Sequence, residues 1–169
     1  MAEGVGEMIE GITFATSTDI DARDLSAFYK RQHHSTTTDP AKLQRMISQT
    51  FCFVTARQGG QLIGIARGVA DGVRGHLVEC KLDPRFQGPA CVTRTDGRIE
   101  HDTSGVAREM ALRVVQALKD YGVDKIHVMA YGTEVDFCED LGFKRISGMV
   151  ALELVLHPPD RTPAEGASE

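Results

Sequence analysis

A chain of 169 residues, 41% hydrophobic and 25% charged, has the composition of one soluble globular domain, and that much apolar material excludes disorder throughout. Nineteen Lys and Arg against 24 Asp and Glu leave a formal charge of −5, so no nucleic acid is expected as a partner, because binding a phosphate backbone requires a concentrated basic surface. No stretch approaches the ~20 apolar residues that cross a bilayer, so no membrane partner is expected either.

Residues 1–9 and 157–169 read as flexible tails around a single domain, 10–156. The first tail is small and polar, and the second holds three of the six prolines. Residues 1–7 lack the basic start and apolar core of a secretion signal, which makes the cytoplasm the expected compartment. Ile12–Thr16 alternates as a first strand. Thr18-x-x-Asp21 reads as a capping box for a helix whose Ala22, Leu25, Phe28 and Tyr29 share a face. Asp39-Pro40 opens a second helix with Leu43, Met46 and Ile47 as its stripe. Phe51–Ala56, the turn Gln58-Gly59-Gly60 and Leu62–Ala66 form a strand–turn–strand signature, and Asp71-Gly72 marks a further turn. His76–Leu82 is the next strand, stopped by Asp83-Pro84.

Arg85–Thr103 is harder to place and suits a hairpin, Cys91–Arg94 with Arg98–His101, around Asp96-Gly97. Val106, Met110, Val114, Ala117, Leu118 and Tyr121 then share one face of a long helix capped by Gly122. Lys125–Ala130 reads as a strand and Thr133–Leu141 as a helix closed by Gly142. Phe143–Ile146 and Met149–Leu156 read as two closing strands joined at Ser147-Gly148. The order β-α-α-β-β-β-α-β-α-β-β describes an α/β (α+β) fold, with a mixed, mostly antiparallel sheet and one β-α-β crossover.

Three motifs in this order resemble the GNAT acetyltransferase superfamily. Gly105–Val128 is similar to that family's phosphate-loop end, third helix and fifth strand. Phe137-Cys138-Glu139-Asp140-Leu141-Gly142-Phe143 is similar to its F-Y-E-K-L-G-F signature, and Leu82-Asp83-Pro84-Arg85-Phe86-Gln87-Gly88 to the V-x-P-x-x-R-G that ends its fourth strand. The phosphate-loop pattern is split, with its start at Gln87-Gly88 and its end at Asp102–Ala107. Either a hairpin is inserted between the halves, or Cys91–Thr95 is the fourth strand and residues 74–82 are an additional one.

The resemblance implies acyl-CoA-dependent N-acyltransfer, with acetyl-CoA as cosubstrate and an amine of a small molecule or peptide as acceptor. The alternative is a catalytically silent domain of the same fold that binds CoA or a protein partner. A purely structural subunit whose hairpin region builds a homodimer is a further reading. The resemblance places cofactor contacts at Leu82, Gln87, Gly88, Thr103, Ser104, Gly105, Val106, Ala107 and Arg108. A helix N-terminus with small residues lets backbone N–H groups reach a pyrophosphate. Asp102 stands where the family carries a basic residue, and its charge opposes a phosphate unless an arginine compensates.

For proton transfer, Glu79 interrupts an apolar strand and is the first candidate base, with Asp71 and Asp83 behind it. Cys138 replaces the family's acidic tyrosine, and Tyr131 is a nearby substitute. Cys52, Cys80, Cys91 and Cys138 form no C-x-x-C pair, which points away from zinc and redox motifs and towards reduced thiols packed as small hydrophobes. His33-His34 suits a helix C-terminus. His101 beside Glu100 and Asp102 does not suggest a metal, since strand neighbours point apart. No metal is expected.

Overall fold

The computed structural model describes residues 9, 11–32, 37–87, 99, 102–132 and 134–156. Its elements are β1 (Ile12–Thr16), α1 (Ala22–Arg31), α2 (Pro40–Gln49), β2 (Cys52–Gln58), β3 (Gln61–Ala70) and β4 (Arg74–Leu82). A 3-10 turn at Pro84–Phe86, α3 (Val106–Tyr121), β5 (Lys125–Val128) and α4 (Glu134–Asp140) follow. The five strands lie in sequence order, antiparallel except for the parallel pair β4/β5 that the α3 crossover makes possible.

Alternation along the strands sorts two cores. Phe53, Leu62 and Ile65 pack against Leu25, Phe28 and Tyr29 of α1 and against Leu43 and Ile47 of α2. Val54, Ala56, Ile63, Ala66, Leu77 and Leu82 pack against Val106, Met110, Val114 and Leu118 of α3. Glycines set how closely α3 approaches. A Cβ on Gly64 would lie 2.8 Å from Met110 Cε, one on Gly68 would lie 2.7 Å from Val114 Cγ1, and one on Gly75 would lie 3.0 Å from Leu118 Cδ2. The sheet therefore offers bare backbone to successive turns of one helix stripe.

Most elements stand where the sequence puts them. The side chain capping α1 is Asp21, which accepts from Arg23 N, while Asp39 caps α2 with Pro40 in its first turn. The question of the fourth strand is answered by pairing: Arg74–Leu82 lies between β3 and β5. The proposed hairpin at Cys91–Arg94 and Arg98–His101 falls outside the described residues except for Ile99, which is buried in the α3 core. The tails 1–8 and 157–169 and the pair His33-His34 also fall outside them. Ile9 is described, and its carbonyl accepts from Ile12 N at 2.9 Å.

One expectation fails. Phe143–Ile146 and Met149–Leu156 are not strands here, and no strand of the sheet pairs with them. Alternation marks a segment fit for a sheet but does not supply the neighbouring edge. Residues 144–156 are exposed throughout, with Leu152 92% exposed, although Arg145 Nε still donates to Glu139 Oε1 at 2.8 Å. β5 also closes earlier than expected, at Val128.

Candidate functional site

β4 and β5 pair over only four positions, from Arg74↔Lys125 to Leu77↔Val128. β5 then ends while β4 runs on to Leu82. From Val78 onward, the edge of β4 that faced β5 has no strand partner among the described residues, which opens a notch in the sheet. The rings of His76 and His127, one position before the last β4/β5 pair, sit side by side with centroids 5.5 Å apart.

A β-bulge decides which face of the sheet Glu79 takes. Arg67 pairs with Glu79 and Gly68 with Leu77, so Val78 is the extra residue. Strict alternation would put Leu77 and Glu79 on one face. The bulge reverses the parity: Leu77 stays in the α3 core while Glu79 turns towards α1. There its Oε2 accepts from Tyr29 Oη at 2.8 Å and from Arg67 Nε at 3.0 Å. The Arg67–Glu79 pair is largely buried, with side chains 16% and 10% exposed. Burial above all, then the charge of Glu79, pushes the Tyr29 pKa well up, so Tyr29 stays a proton donor in this pair. Tyr29 is read from the sequence only as part of a helix face, and neither it nor Arg67 is among the candidate site residues. The available signals are a tyrosine on the buried stripe of α1, whose hydroxyl needs a partner, and an arginine inside an apolar strand.

Cys138 lies on the other side of β4. It is buried in α4, and its thiol is pushed up from the ordinary 9.0 to about 11 by burial and then by the charge of Glu134. Cys80 of β4 points the same way, its Sγ 3.7 Å from the Ala107 carbonyl oxygen. Burial raises its pKa well above the usual value, with Asp102 and Cys138 adding to the rise. Tyr131 follows β5 and is 61% exposed, and its backbone N–H donates to Glu134 Oε2 at 3.0 Å. Glu79 and Cys138 thus flank one strand from opposite faces. The other candidate bases are committed to turns. Asp83 caps the 3-10 turn and binds Arg85 through both carboxylate oxygens. Asp71 accepts from Val73 N and Arg74 N.

The N-terminus of α3 is already capped. Asp102 Oδ1 accepts from Gly105 N at 2.9 Å and Asp102 Oδ2 from Arg108 N at 2.8 Å, while Ser104 Oγ accepts from Val106 N at 3.3 Å. An internal carboxylate thus takes N–H groups that an external anion would use. Gly105 is required by its φ of +78°, not by crowding, since a Cβ there would meet only Ile9 Cδ1, at 3.9 Å. Thr103 and Arg108 are exposed, whereas Leu82, Val106 and Ala107 are buried and could offer a ligand only backbone. Gln87 is 1% exposed and its amide donates to the Leu82 carbonyl at 2.7 Å, so it holds the end of β4 in place. Gly88 lies outside the described residues. Coenzyme A therefore fits this site in part: the open β4 edge suits an amide-bearing chain, whereas a pyrophosphate at α3 would have to displace Asp102. Among the described residues, no group of three or more His, Cys, Asp or Glu could hold a metal ion, and no helix is long and apolar enough to cross a membrane.

No protein-family model matches the chain, and no curated protein matches it. Solved structures do. A GNAT-family acetyltransferase from Streptococcus pneumoniae is similar at a TM-score of 0.61 and 17% identity, over 84% of this chain and 98% of that one. The aminoglycoside N-acetyltransferase AAC(6')-Iy in complex with CoA is similar at 0.63 and 13%, over 85% and 94%. Glucosamine-6-phosphate N-acetyltransferase from Arabidopsis thaliana is similar at 0.62 and 11%, over 85% and 99%.

Proposed function

On the GNAT acetyltransferase fold, which this chain has, we propose that it transfers an acyl group, acetyl first among them, from acyl-CoA to a primary amine. The observation that carries this reading is the bulge at Val78, which turns the Glu79 carboxylate towards Tyr29 and Arg67 just where β4 runs on past its last pair with β5. The thioester supplies the activated acyl carbon. A protonated amine with a pKa near ~10 cannot attack it, so a proton must leave the nitrogen first. Glu79 receives that proton, directly or through one water, while Tyr29 and Arg67 hold the carboxylate in place. The amine nitrogen bonds to the carbonyl carbon, the carbon–sulfur bond breaks, and the thiolate leaves. The stretch of β4 beyond Val78, which no described strand pairs on the β5 side, is the backbone that would polarise the carbonyl oxygen.

Cys138, at about 11, is a weaker acid than the departing thiol, whose unperturbed pKa is near ~8.5. It therefore contributes little driving force to reprotonation, and Tyr131 or solvent can supply the proton instead. Two of the similar enzymes are named for aminoglycoside and glucosamine-6-phosphate acceptors, and the net charge of −5 favours a cationic amine.

The test is a titration with acetyl-CoA, followed by calorimetry and thermal shift, then thiol release with a panel of small amines. A ligand that binds only the folded state at 100 times its Kd adds about 2.7 kcal/mol of stability, so a clear rise in Tm is expected. No heat and no shift at millimolar acetyl-CoA would discard the reading.

A further inference from the structure

On the sheet face away from α3, β4 and β5 present four side chains to which the chemistry above gives no task. Gly75 and Leu77 of β4 and Ile126 and Val128 of β5 face α3, so alternation puts Arg74, His76, Lys125 and His127 together on the opposite face. The parallel register sets Arg74 beside Lys125 and His76 beside His127, and the two imidazoles have centroids 5.5 Å apart. At the backbone the four span roughly 5 by 7 Å, close enough for their tips to converge on one small ion. This part of the face is open. The described core beneath α1 and α2 draws on β2 and β3 but on no residue of β4 or β5, and Arg74, His76 and Lys125 are exposed with His127 half-buried.

Nothing in the fold rewards the arrangement. Like charges directly opposite on neighbouring strands are destabilising. Among the described residues, neither the Arg74 nor the Lys125 side chain has an ion-pair partner. Asp71, in the turn before Arg74, gives its Oδ1 to the backbone N–H groups of Val73 and Arg74. Arg67, on the same face, is committed to Glu79. An oxyanion relieves the repulsion, since guanidinium and ammonium donate charge-assisted hydrogen bonds and an imidazole N–H donates in either protonation state.

We infer that Arg74, Lys125, His76 and His127 hold an oxyanion carried by the acceptor itself, a phosphate or carboxylate, so that the substrate is a zwitterion whose amine lies at Glu79. The Val78 bulge puts Glu79 on this same face. Glu79 stands three residues beyond His76, roughly 7–10 Å along β4 once the bulge is allowed for. An acceptor with its amine and oxyanion about that far apart spans both. The net charge of −5 acts at long range on the amine end, whereas the cationic cluster selects the other end at contact. The inference rests on the acyl-transfer reading of Glu79, and its test separates the two.

Four amines on one six-carbon chain make the comparison: hexylamine, ε-aminocaproate, aminohexyl phosphate and hexamethylenediamine. With acetyl-CoA, kcat/KM should rise from the diamine through hexylamine to the two anionic amines. Arg74→Gln with Lys125→Gln should raise KM for the anionic amines about tenfold, leave kcat unchanged and move hexylamine by less than about twofold. Arg74→Glu with Lys125→Glu should invert the order in favour of the diamine. Both positions are exposed, and relieving a like-charge pair should leave Tm unchanged or higher. Calorimetry without acyl-CoA gives a second readout: aminohexyl phosphate should bind the native protein more tightly than inorganic phosphate does, and should not bind the doubly neutralised variant. Equal kcat/KM for hexylamine and aminohexyl phosphate overturns the inference, as does a preference that survives the double neutralisation. So does native protein that gives no heat, or that holds inorganic phosphate as tightly as the ester. Binding that the double variant loses, with no thiol released by any of the four amines, supports the oxyanion site and discards the acyl-transfer reading instead.

Discussion

Tyr29 donates its hydroxyl to Glu79 Oε2 at 2.8 Å, although fifty positions separate them in the chain. The contact joins α1 to β4 and exists because Val78 bulges out of the β3/β4 ladder. With Arg67 on the same oxygen, it gives an internal carboxylate two partners and a fixed orientation at the notch.

Glu79→Gln keeps the size of the side chain and an acceptor for Tyr29 but removes the basicity. kcat/KM at neutral pH should fall by about 10²–10⁴, the usual cost of losing a general base. The deficit should shrink as pH nears the pKa of the amine, where free amine needs no base, and a pH–rate profile of both proteins checks this. Glu79→Ala also strands the Arg67 guanidinium and should lower stability by about 3–5 kcal/mol in denaturant titrations. A pH-independent deficit for Glu79→Gln would give the residue a structural role only.

Asp102 competes with any phosphate for the N-terminus of α3. Asp102→Ala frees two N–H groups and removes a repelling charge, so acetyl-CoA should bind several-fold more tightly by calorimetry, at a cost of about 1 kcal/mol in helix capping. Gly105→Ala and Gly105→Glu both pay about 1–2 kcal/mol for holding a φ of +78°, and only the glutamate should also abolish CoA binding. Unchanged affinity in Asp102→Ala together with Gly105→Glu would move the phosphates elsewhere.

Cys138 should react slowly with iodoacetamide at neutral pH, its rate rising towards a midpoint of about 11. Glu134→Gln should lower that midpoint, since the Glu134 charge is the second cause of the shift. A thiol raised by folding stabilises the fold fully below its unfolded value, and that contribution is lost as pH climbs through the folded one. Tm should therefore decline from about pH 9 towards 11 more steeply in the native protein than in Cys138→Ala. Equal alkaline declines would contradict the burial of this thiol.

Gly68→Val would drive a side chain into Val114 Cγ1, which stands 2.7 Å from the position of the first added carbon. Overpacking of this kind typically costs about 1–3 kcal/mol. Adding Val114→Ala should restore part of the loss, and a double-mutant cycle measures the coupling. No loss for Gly68→Val would mean that α3 rides further from the sheet than described.

Much of the fold follows from local sequence. Asp39-Pro40, Gly59-Gly60, Asp71-Gly72 and Gly122 punctuate the chain because capping and positive φ are short-range demands, and the stripe Met110, Val114, Leu118 gives the buried face of α3 because helical period needs no partner to be read. The resemblance carried by Phe137–Phe143 and Gly105–Val128 likewise led to the right fold. Tertiary structure decided the rest. Alternation in Leu77–Leu82 cannot reveal a bulge, which depends on how β3 pairs across from it, so the face of Glu79 and its partners Tyr29 and Arg67 emerged only on folding. Gln87 and Asp102 match a phosphate loop by position, yet they are drawn to Leu82 and to the α3 N-terminus because buried polar groups take the nearest donors and acceptors. Met149–Leu156 has a strand's pattern without a strand, because pairing requires a second edge that a periodicity cannot specify.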